Sequence, residues 1–388
     1  MKTKVGYSKL TDAYEAGVET ATNATKGITP KIGLLFNSVG YEQKKLIEGI
    51  KSIMPDIDVI GCTSSAGIIT DEGGYMVDET GTAGLLTLED KDLTVTSYGM
   101  PKKKSARETG REVALKALEK AGVDYAPDYF FMCAAPGEEE EYIKGIQDVI
   151  GRVPCFGGSA ADNTVEGKWS IFYNDQIFSD GVAAAFFYSE KSIATVYTGA
   201  YNETKDMGII TKLNDKRVLA EIDGVPATDK YKEWRKLKDE DVTGGNLLVT
   251  TITSPLGIKD RLGNLTAIRH PMNGNEDKSM NIGADLAVGT AVIRMEATVD
   301  ELVDSTGKTL KELNKLCPNP AGYLLVHCGG RRLGIGDEKM EEVYKQLKKE
   351  AGDVPFLVVF TFGEYGYTND DQANTTGGLM LSFTAFEK

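Results

Sequence analysis

Small and nucleophilic side chains follow a buried-looking apolar run in the sequence GCTSSAG, at residues 61–67. Cys62 supplies a thiol, Ser64 and Ser65 supply hydroxyl groups, and Gly61 permits close approach to the backbone. A thiolate at a strand end is activated by backbone N–H groups or by a neighbouring cation. The stretch is therefore a candidate nucleophile turn, a phosphate cradle or a tight bend between strands.

Serine hydrolysis is disfavoured by the same residues. With Ser65 at the centre of a GxSxG turn, Thr63 stands where the first glycine belongs. A serine hydrolase also needs a histidine base, and the chain contains two histidines, His270 and His327.

Thiol chemistry is the other nucleophilic alternative. Cys133, Cys155 and Cys328 fall at or near the ends of expected strands, as Cys62 does, so several thiols could surround one cavity. Cysteine is also a small hydrophobe that packs well in cores. Both a reactive site at Cys62 or another clustered cysteine and simple packing remain open.

Charged groups beside bends offer a different kind of site. The Gly-rich stretch CGGRRLGIGDE (328–338) joins a buried strand to a helix, and its Arg331 and Arg332 could bind a carboxylate or phosphate, or be solvated. Arg269 follows an alternating apolar stretch and projects from a strand end. Glu364 and Asp162 lie at bends where a carboxylate meets a ligand ammonium or pairs with an arginine.

Haem would need an axial ligand, most often histidine. His327 at a strand end is better placed than His270, but such a histidine also serves as a hydrogen-bonded core residue. We expect no cofactor and keep haem as an alternative.

The elements that position these residues repeat along the chain. Each of three copies has a strand such as KIGLLF, PDYFFMCAA or AGYLLVHC, then a helix with apolar residues three and four apart. The helical stripes are Leu46, Ile47, Ile50, Ile53 and Met54; Tyr142, Ile143, Ile146, Val149 and Ile150; and Met340, Val343, Tyr344 and Leu347.

Each copy continues with a second strand, a small-residue bend and a returning strand. The bend GCTSSAG has counterparts in FGGSAADN, which contains Gly157 and Gly158, and in TFGEYG. Glycine lets a chain turn sharply at a strand end, and strand ends are where α/β proteins bind ligands. The bends are expected to be both structural and ligand-binding.

A region of short strands separated by Gly, Pro and Asn lies between copies two and three. We place a domain boundary near residue 215. The sequence thus predicts an α/β fold of two associated domains, 1–215 and 216–388, with mixed β-sheets flanked by helices and built from strand–helix–strand–strand units.

Composition limits the partners and the compartment. A net charge of −14 and a pI near 4.9 disfavour nucleic acid and anionic lipid surfaces. Five cysteines without a CxxC pair favour reduced thiols in the cytoplasm. The opening residues lack an apolar signal region, and no apolar run has the roughly 18 residues of a membrane span, so we expect no membrane insertion.

The ordered motifs GCTSSAG, FGGSAADN, VLAEIDGVPATDKY, SPLGI, AIRHP, VGTAVIRM, CGGRR and FTFGEYG resemble the FIST family (F-box and intracellular signal transduction), with a FIST-N segment followed by a FIST-C segment. The resemblance covers nearly the whole chain from about residue 30. The position of Arg269 recurs within FIST-C, which raises its standing as a ligand-binding or salt-bridge residue.

The resemblance implies a sensory module of bacteria and archaea that binds small ligands such as amino acids, with a separate signalling protein as output. In this hypothesis Arg331 or Arg269 holds the ligand carboxylate and Glu364 or Asp162 the amine, while Gly61, Gly157 and Gly158 permit close approach. A haem-based gas sensor, a thiol-dependent enzyme and an adaptor without ligand are the alternatives.

Overall fold

The computed structural model describes residues 1–77, 80–260, 262–368 and 373–388. Three units of the chain follow the same order of elements. The first unit contains β1 (Lys2–Ser8), α1 (Ala13–Thr25), β2 (Ile32–Asn37), α2 (Gln43–Ile53), β3 (Val59–Thr63), β4 (Gly67–Thr70), β5 (Gly74–Val77) and β6 (Ala83–Glu89). The second contains β7 (Thr94–Pro101), α3 (Ala106–Ala121), β8 (Tyr129–Ala134), α4 (Glu139–Ile150), β9 (Cys155–Ser159), β10 (Ile171–Tyr173), β11 (Gln176–Phe178) and β12 (Gly181–Tyr188).

The third unit starts with β13 (Ile193–Thr198) and is interrupted by an insert. The insert contains β14 (Asn202–Asp215), β15 (Val218–Ile222), β16 (Val225–Pro226), α5 (Ala227–Arg235), α6 (Asn246–Thr251), β17 (Leu256–Lys259), β18 (Leu265–Arg269), β19 (Pro271–Gly274), β20 (Met280–Ile282) and β21 (Ala291–Glu296). The unit resumes with α7 (Val299–Leu316), β22 (Pro320–Cys328), α8 (Gly329–Ile335), α9 (Asp337–Ala351), β23 (Phe356–Thr361), β24 (Glu364–Thr368), β25 (Ala373–Gly377) and β26 (Leu381–Glu387).

Each unit builds four strands of a six-stranded sheet, in the orders β1-β6-β2-β3, β7-β12-β8-β9 and β13-β26-β22-β23. In each sheet the last two of these strands pair in parallel: β2 with β3, β8 with β9, and β22 with β23. On its other side, the first strand of each parallel pair has an antiparallel neighbour. Parallel neighbours need a crossover, which α2, α4 and the α8–α9 pair provide. The predicted α/β fold, with mixed sheets flanked by helices and repeated units, is confirmed.

Every sheet is completed by a hairpin from a different unit. The hairpin β10–β11 of the second unit pairs with β3 of the first, and β24–β25 of the third pairs with β9 of the second. The hairpin β4–β5 of the first unit pairs with β23 of the third and closes the cycle. The three units therefore exchange hairpins in a ring.

The three sheets turn one face towards a common core and the other towards a helix pair. Strand alternation explains the two faces: in β2, Leu34 and Phe36 enter the central core, whereas Leu35 packs under α1 and α2. Phe36 meets Phe131 of the second unit edge to face, with ring centroids 6.1 Å apart. Burying one such side chain stabilises the fold by about 1.5–3 kcal/mol relative to leaving it exposed. Because the central core takes side chains from all three units, this burial holds the units together.

The helical stripes lie where the periodicity predicts, with one exception. Leu46, Ile47 and Ile50 of α2 are buried, and Met54 is buried just beyond its end. Ile53, predicted in the same stripe, has 39% of its side chain exposed because it sits at the final helical residue, past the sheet.

The insert forms an eight-stranded antiparallel sheet in the order β18-β17-β21-β14-β15-β20-β19, with β16 paired to β15. It is tied to the second unit by Arg217, whose guanidinium contacts Glu139 and Glu140 of α4 at 2.5 Å and Asp285 at 3.1 Å. Two of the six-stranded sheets contain strands from both sides of residue 215, so the two halves of the chain are interleaved. Among the described helices, none has the length and apolar content needed to cross a membrane.

Gly61 is fixed by the close approach of β2 and β3. A Cβ at this position would stand 1.7 Å from the carbonyl oxygen of Leu35, which is rigid backbone. We expect Gly61→Ala to lower the free energy of unfolding by about 3 kcal/mol, because the strand must shift to accept the methyl group. Urea titration measures the loss.

Gly245→Ala is the matched control, since a Cβ there meets no atom within 4 Å. That variant should keep the wild-type midpoint or raise it slightly. Equal midpoints for the two variants would contradict the steric explanation.

Candidate functional site

The three bends that follow β3, β9 and β23 meet at one place. Each bend is joined to the other two by a backbone hydrogen bond between an amide and a carbonyl. The pairs are Ala161 N to Thr63 O at 2.9 Å, Ser65 N to Phe360 O at 2.8 Å, and Ser159 N to Gly363 O at 2.8 Å. The three repeated bends therefore lie side by side.

A cavity of about 90 Å³ lies where these bends meet the insert and the start of α8. One water needs about 10–15 Å³ by this measure, so the space suits a small molecule of several heavy atoms. The bends contribute Ser65, Asp162, Asn163 and Phe362 to the lining. The start of α8 contributes Cys328, Gly330 and Arg332, and the insert contributes Leu248, His270 and Met272.

Cys328, at the last residue of β22, supplies the thiol of the cavity. Its Sγ accepts the amide hydrogen of Leu379 at 3.2 Å, and its two strand neighbours, Thr361 and Met380, both hydrogen-bond to the carboxyl group of Glu364. Burial, followed by the charge of Glu364, raises the thiol pKa well above its ordinary value; the amides of Arg331, Leu379 and Gly330 act in the opposite direction.

Glu364 lies behind Cys328, outside the cavity lining, and is fully buried. One carboxyl oxygen is 2.9 Å from Thr361 Oγ1, and the other accepts the amide hydrogen of Met380 at 3.0 Å. Burial raises the pKa of this carboxyl to about 8, because removal from water disfavours the charged form more than these hydrogen bonds favour it. Near neutral pH the group is mostly protonated.

His270 lines the cavity from the insert side. Its Nε2 lies 3.1 Å from the carbonyl oxygen of Leu248, and because a carbonyl only accepts, Nε2 carries the proton. Burial lowers the pKa of His270 to about 4, so the ring is neutral at pH 7. Its Nδ1 is then a hydrogen-bond acceptor.

Arg332 is the arginine that lines the cavity. Its Nε donates to the hydroxyl of Tyr75 at 2.8 Å, its Nη2 pairs with Asp337, and its guanidinium lies over the rings of Tyr75 and Phe360. These contacts hold a mostly buried cation in one orientation beside the cavity.

Neither arginine favoured from the sequence lines the cavity. Arg331 is fully buried and donates to Gly199 O, Leu302 O and Ser305 Oγ, at 2.6, 3.2 and 2.5 Å. Arg269 donates to Asp285 O at 3.0 Å and Thr376 O at 2.9 Å. Both guanidinium groups hold backbone segments together.

Asp162 borders the cavity, but backbone amides occupy its carboxylate. Oδ1 accepts from Thr164 and Val165, and Oδ2 accepts from Glu166 and Lys168, which closes the loop around the side chain. The predicted partner for a ligand amine is therefore already hydrogen-bonded within its own loop.

Five other predicted residues have structural neighbours. A Cβ on Gly157 would lie 2.1 Å from Met132 O, and Gly61 is packed at least as closely against β2. Gly158 is paired with Glu364 in the sheet. The Ser64 hydroxyl donates to Gly67 O at 2.7 Å, and Cys62 lies in the central core. None of these five contributes to the cavity lining described above.

The remaining thiols do not surround the cavity. Cys133 lies with Cys62 in the central core, and its pKa is raised, chiefly by burial. Cys155 lies under α3 and α4 on the outer face of its sheet. Among the described residues of the lining, Cys328 is the one cysteine.

His327 lies in β22 and outside the cavity lining. Its Nδ1 is 2.9 Å from Cys328 O, and its Nε2 is buried with no hydrogen-bond partner among the described residues. Burial lowers its pKa to about 3, so this ring is also neutral at pH 7.

Three of the eight non-glycine residues with positive φ in the described part of the chain lie at or beside the cavity: Ala66 at 62°, Val165 at 59° and Leu379 at 57°. Val165 lines the cavity, and the other two each follow a lining residue. Such conformations cost about 1–3 kcal/mol each.

The sequence did not indicate which residues of the insert line the cavity. Leu248, His270 and Met272 come from a different fold element, and no local pattern links them to the bends. Arg332 stands beside Arg331 in the Gly-rich stretch after Cys328, so the sequence indicated its neighbourhood but not its place in the lining.

Comparison with protein families places both halves of the chain. The FIST N domain model matches residues 31–225, and the FIST C domain model matches residues 227–367. The cavity lining draws on both matched segments. Among curated proteins, none matches the chain.

The raised pKa of Glu364 gives a testable pH dependence. The carboxyl titrates near 4.5 when unfolded and at about 8 when folded, so its stabilisation is complete below pH 4.5 and is lost as the pH rises to about 8. We expect the free energy of unfolding to fall by about 1.5–2 kcal/mol between pH 6.5 and 8.

Glu364→Gln, which mimics the protonated carboxyl, should abolish this fall, as urea titrations at the two pH values will show. The control Glu341→Gln, on the exposed face of α9, should retain it. The neutral histidines destabilise the fold only as the pH drops below 6.5, so they do not contribute in this window. A fall in Glu364→Gln as large as in the wild type would refute the assignment.

Proposed function

The chain belongs to the FIST family of ligand-binding sensory domains, and from that premise we propose that it senses a small carboxylate, such as an amino acid, in the cavity beside the three bends. The observation that supports this proposal is Arg332, a lining residue whose guanidinium is held in one orientation by Tyr75 and Asp337. A mostly buried arginine attracts a carboxylate strongly and in a defined orientation.

The rest of the lining fits a short ligand of mixed polarity. Leu248, Met272 and Phe362 offer apolar surface, and His270 Nδ1 and the Ser65 hydroxyl offer acceptors for an amine or hydroxyl. Asp162 and Glu364 are not needed as amine acceptors in this arrangement. The volume of about 90 Å³ favours a ligand near the small end of the amino acids.

Ligand binding here can act as a sensory input. The cavity walls come from all three bends and from the insert, so an occupant stabilises their association by its own binding free energy. A separate signalling protein reads the occupied state in this proposal. All five cysteines are free thiols, which supports a reducing compartment such as the cytoplasm.

A panel of small carboxylates and their matched amides tests the proposal. We expect carboxylates to raise the melting temperature and the amides to leave it unchanged, since only the former pair with Arg332. Arg332→Gln should weaken binding of the best carboxylate about 10- to 100-fold, measured by calorimetry. Arg152→Gln, at an exposed position, is the charge-matched control and should bind normally.

A second variant separates the cavity from the charge. The Cβ of Gly330→Ala would lie 3.0 Å from Leu379 Cδ2 and 3.5 Å from both Cys328 Sγ and His270 Cε1, and Arg332 is not among its nearest contacts. Alanine favours the helix, whereas the Leu379 side chain must shift slightly, so we expect weaker binding in a fold of nearly unchanged stability. Full affinity in both variants would exclude this cavity as the site.

A further inference from the structure

We propose that Cys328 is a nucleophile that adds reversibly to the carbonyl carbon of a small 2-oxo carboxylate bound in the cavity. This inference rests on the proposed function, which it deepens by assigning a ligand class and a covalent step. It is carried by the position of the Cys328 sulfur in the cavity wall. Two groups from other parts of the chain, Glu364 and His270, lie beside it.

The sulfur stands at the wall of the cavity between a proton acceptor and a neutral imidazole. Glu364 bonds to Thr361 and Met380, the two strand neighbours of Cys328, and Cys328 Sγ accepts the amide hydrogen of Leu379 at 3.2 Å. A Cβ added at Gly330 would lie 3.5 Å from Cys328 Sγ, 3.5 Å from His270 Cε1 and 3.0 Å from Leu379 Cδ2. The sulfur and the imidazole therefore border the same space.

The position of Arg332 selects the ligand class. Cys328 and Arg332 are four residues apart at the start of α8, and both line the cavity. Both residues border the same cavity of about 90 Å³, so a ligand of a few heavy atoms reaches both. A 2-oxo carboxylate carries its electrophilic carbon directly next to its carboxylate. One small ligand can therefore pair with the guanidinium and present its carbonyl carbon to the sulfur.

The addition is balanced without an oxidant or a leaving group. The ionised carboxylate of Glu364 accepts the thiol proton while sulfur forms a bond to the carbonyl carbon. The π electron pair of the carbonyl moves to its oxygen, which then takes a proton. The product is a thiohemiketal, and the net change is the transfer of one proton from sulfur to oxygen. The reverse sequence releases the ligand.

Burial explains why the thiol needs this partner. A thiol with a raised pKa is a poor nucleophile by itself, and the neighbouring carboxylate of Glu364 supplies the base when the attack occurs. Because the carboxyl group titrates at about 8, the rate of addition should rise with pH through that region. Glu364 thus acts through Cys328 and positions its proton.

Pyruvate labelled with ¹³C at its carbonyl carbon is the probe, with lactate as the matched ligand that has no electrophilic carbon. In the wild-type protein, the bound carbonyl resonance should move from the ketone to the tetrahedral region. Cys328→Ser should bind both probes and leave the ketone resonance unchanged. Cys317→Ser, which alters a thiol distant from the cavity, should behave as the wild type.

Two further measurements use the same probes. Pyruvate should protect Cys328 of the wild-type protein from alkylation, as measured by peptide mapping. This measurement uses the wild-type protein alone, so it does not depend on whether a variant folds. Glu364→Gln should slow formation of the tetrahedral signal at least tenfold and remove its rise around pH 8. Rescue of that rate by Glu364→Asp would separate proton transfer from a merely structural role.

The outcomes distinguish this inference from the proposed function. A tetrahedral signal that requires Cys328 supports both. Binding of pyruvate and lactate with the ketone resonance intact in the wild type overturns the covalent step and leaves the carboxylate sensor standing. If other small carboxylates bind through Arg332 but pyruvate does not, the ligand class is wrong. If no carboxylate binds, both proposals fail.

Discussion

Pairing of backbone groups at the centre of the molecule is the constraint on which the rest of the structure depends. Three strands end there, and buried amides and carbonyls must find partners. The bends satisfy one another through the hydrogen bonds from Ala161 to Thr63, from Ser65 to Phe360 and from Ser159 to Gly363. A chain that crosses the centre in this way enters the neighbouring unit, and the hairpin that follows each bend therefore joins another unit's sheet.

The three units present equivalent positions with different chemistry. Asn37, Ala134 and Cys328 each end the first strand of a parallel pair, opposite Thr63, Ser159 and Thr361 respectively. In the first unit, the Asn37 amide donates to Ser38 O and Gln43 Oε1 and so serves its own connection. The third unit places a thiol at that position, and the insert covers it with His270. In the third unit, this pseudo-equivalent position therefore lines the cavity.

Local patterns in the sequence were sufficient for the units but not for their assembly. Helical and strand periodicity predicted three copies and the bends between them, since each copy buries one helical stripe against one sheet. The exchange of hairpins was not predictable, because the sequence of a short strand such as β4 does not specify which sheet edge the strand pairs with. Pairing of β4 with β23 depends on the whole arrangement.

The site was predicted in part for the same reason. Cys328, Ser65 and Asp162 line the cavity, after repeat strands as their sequence positions suggested, and Glu364 bonds to Thr361 and Met380, the strand neighbours of Cys328. Arg331 and Arg269 looked like ligand groups because a charged residue beside a bend is usually exposed. Their long side chains instead reach carbonyl groups in the interior, a choice that only the three-dimensional positions of those carbonyls decide.

The ring of exchanged hairpins also governs the order in which the molecule can be made. The hairpin β4–β5 is synthesised early, yet its partner β23 lies near the opposite end of the chain. Until β23 emerges, the edge of that hairpin has unpaired amides and carbonyls, which are exposed to other chains. Folding rates fall as the sequence separation of contacts grows. During synthesis this protein therefore passes through a period in which its first unit is complete in sequence but still open at one edge.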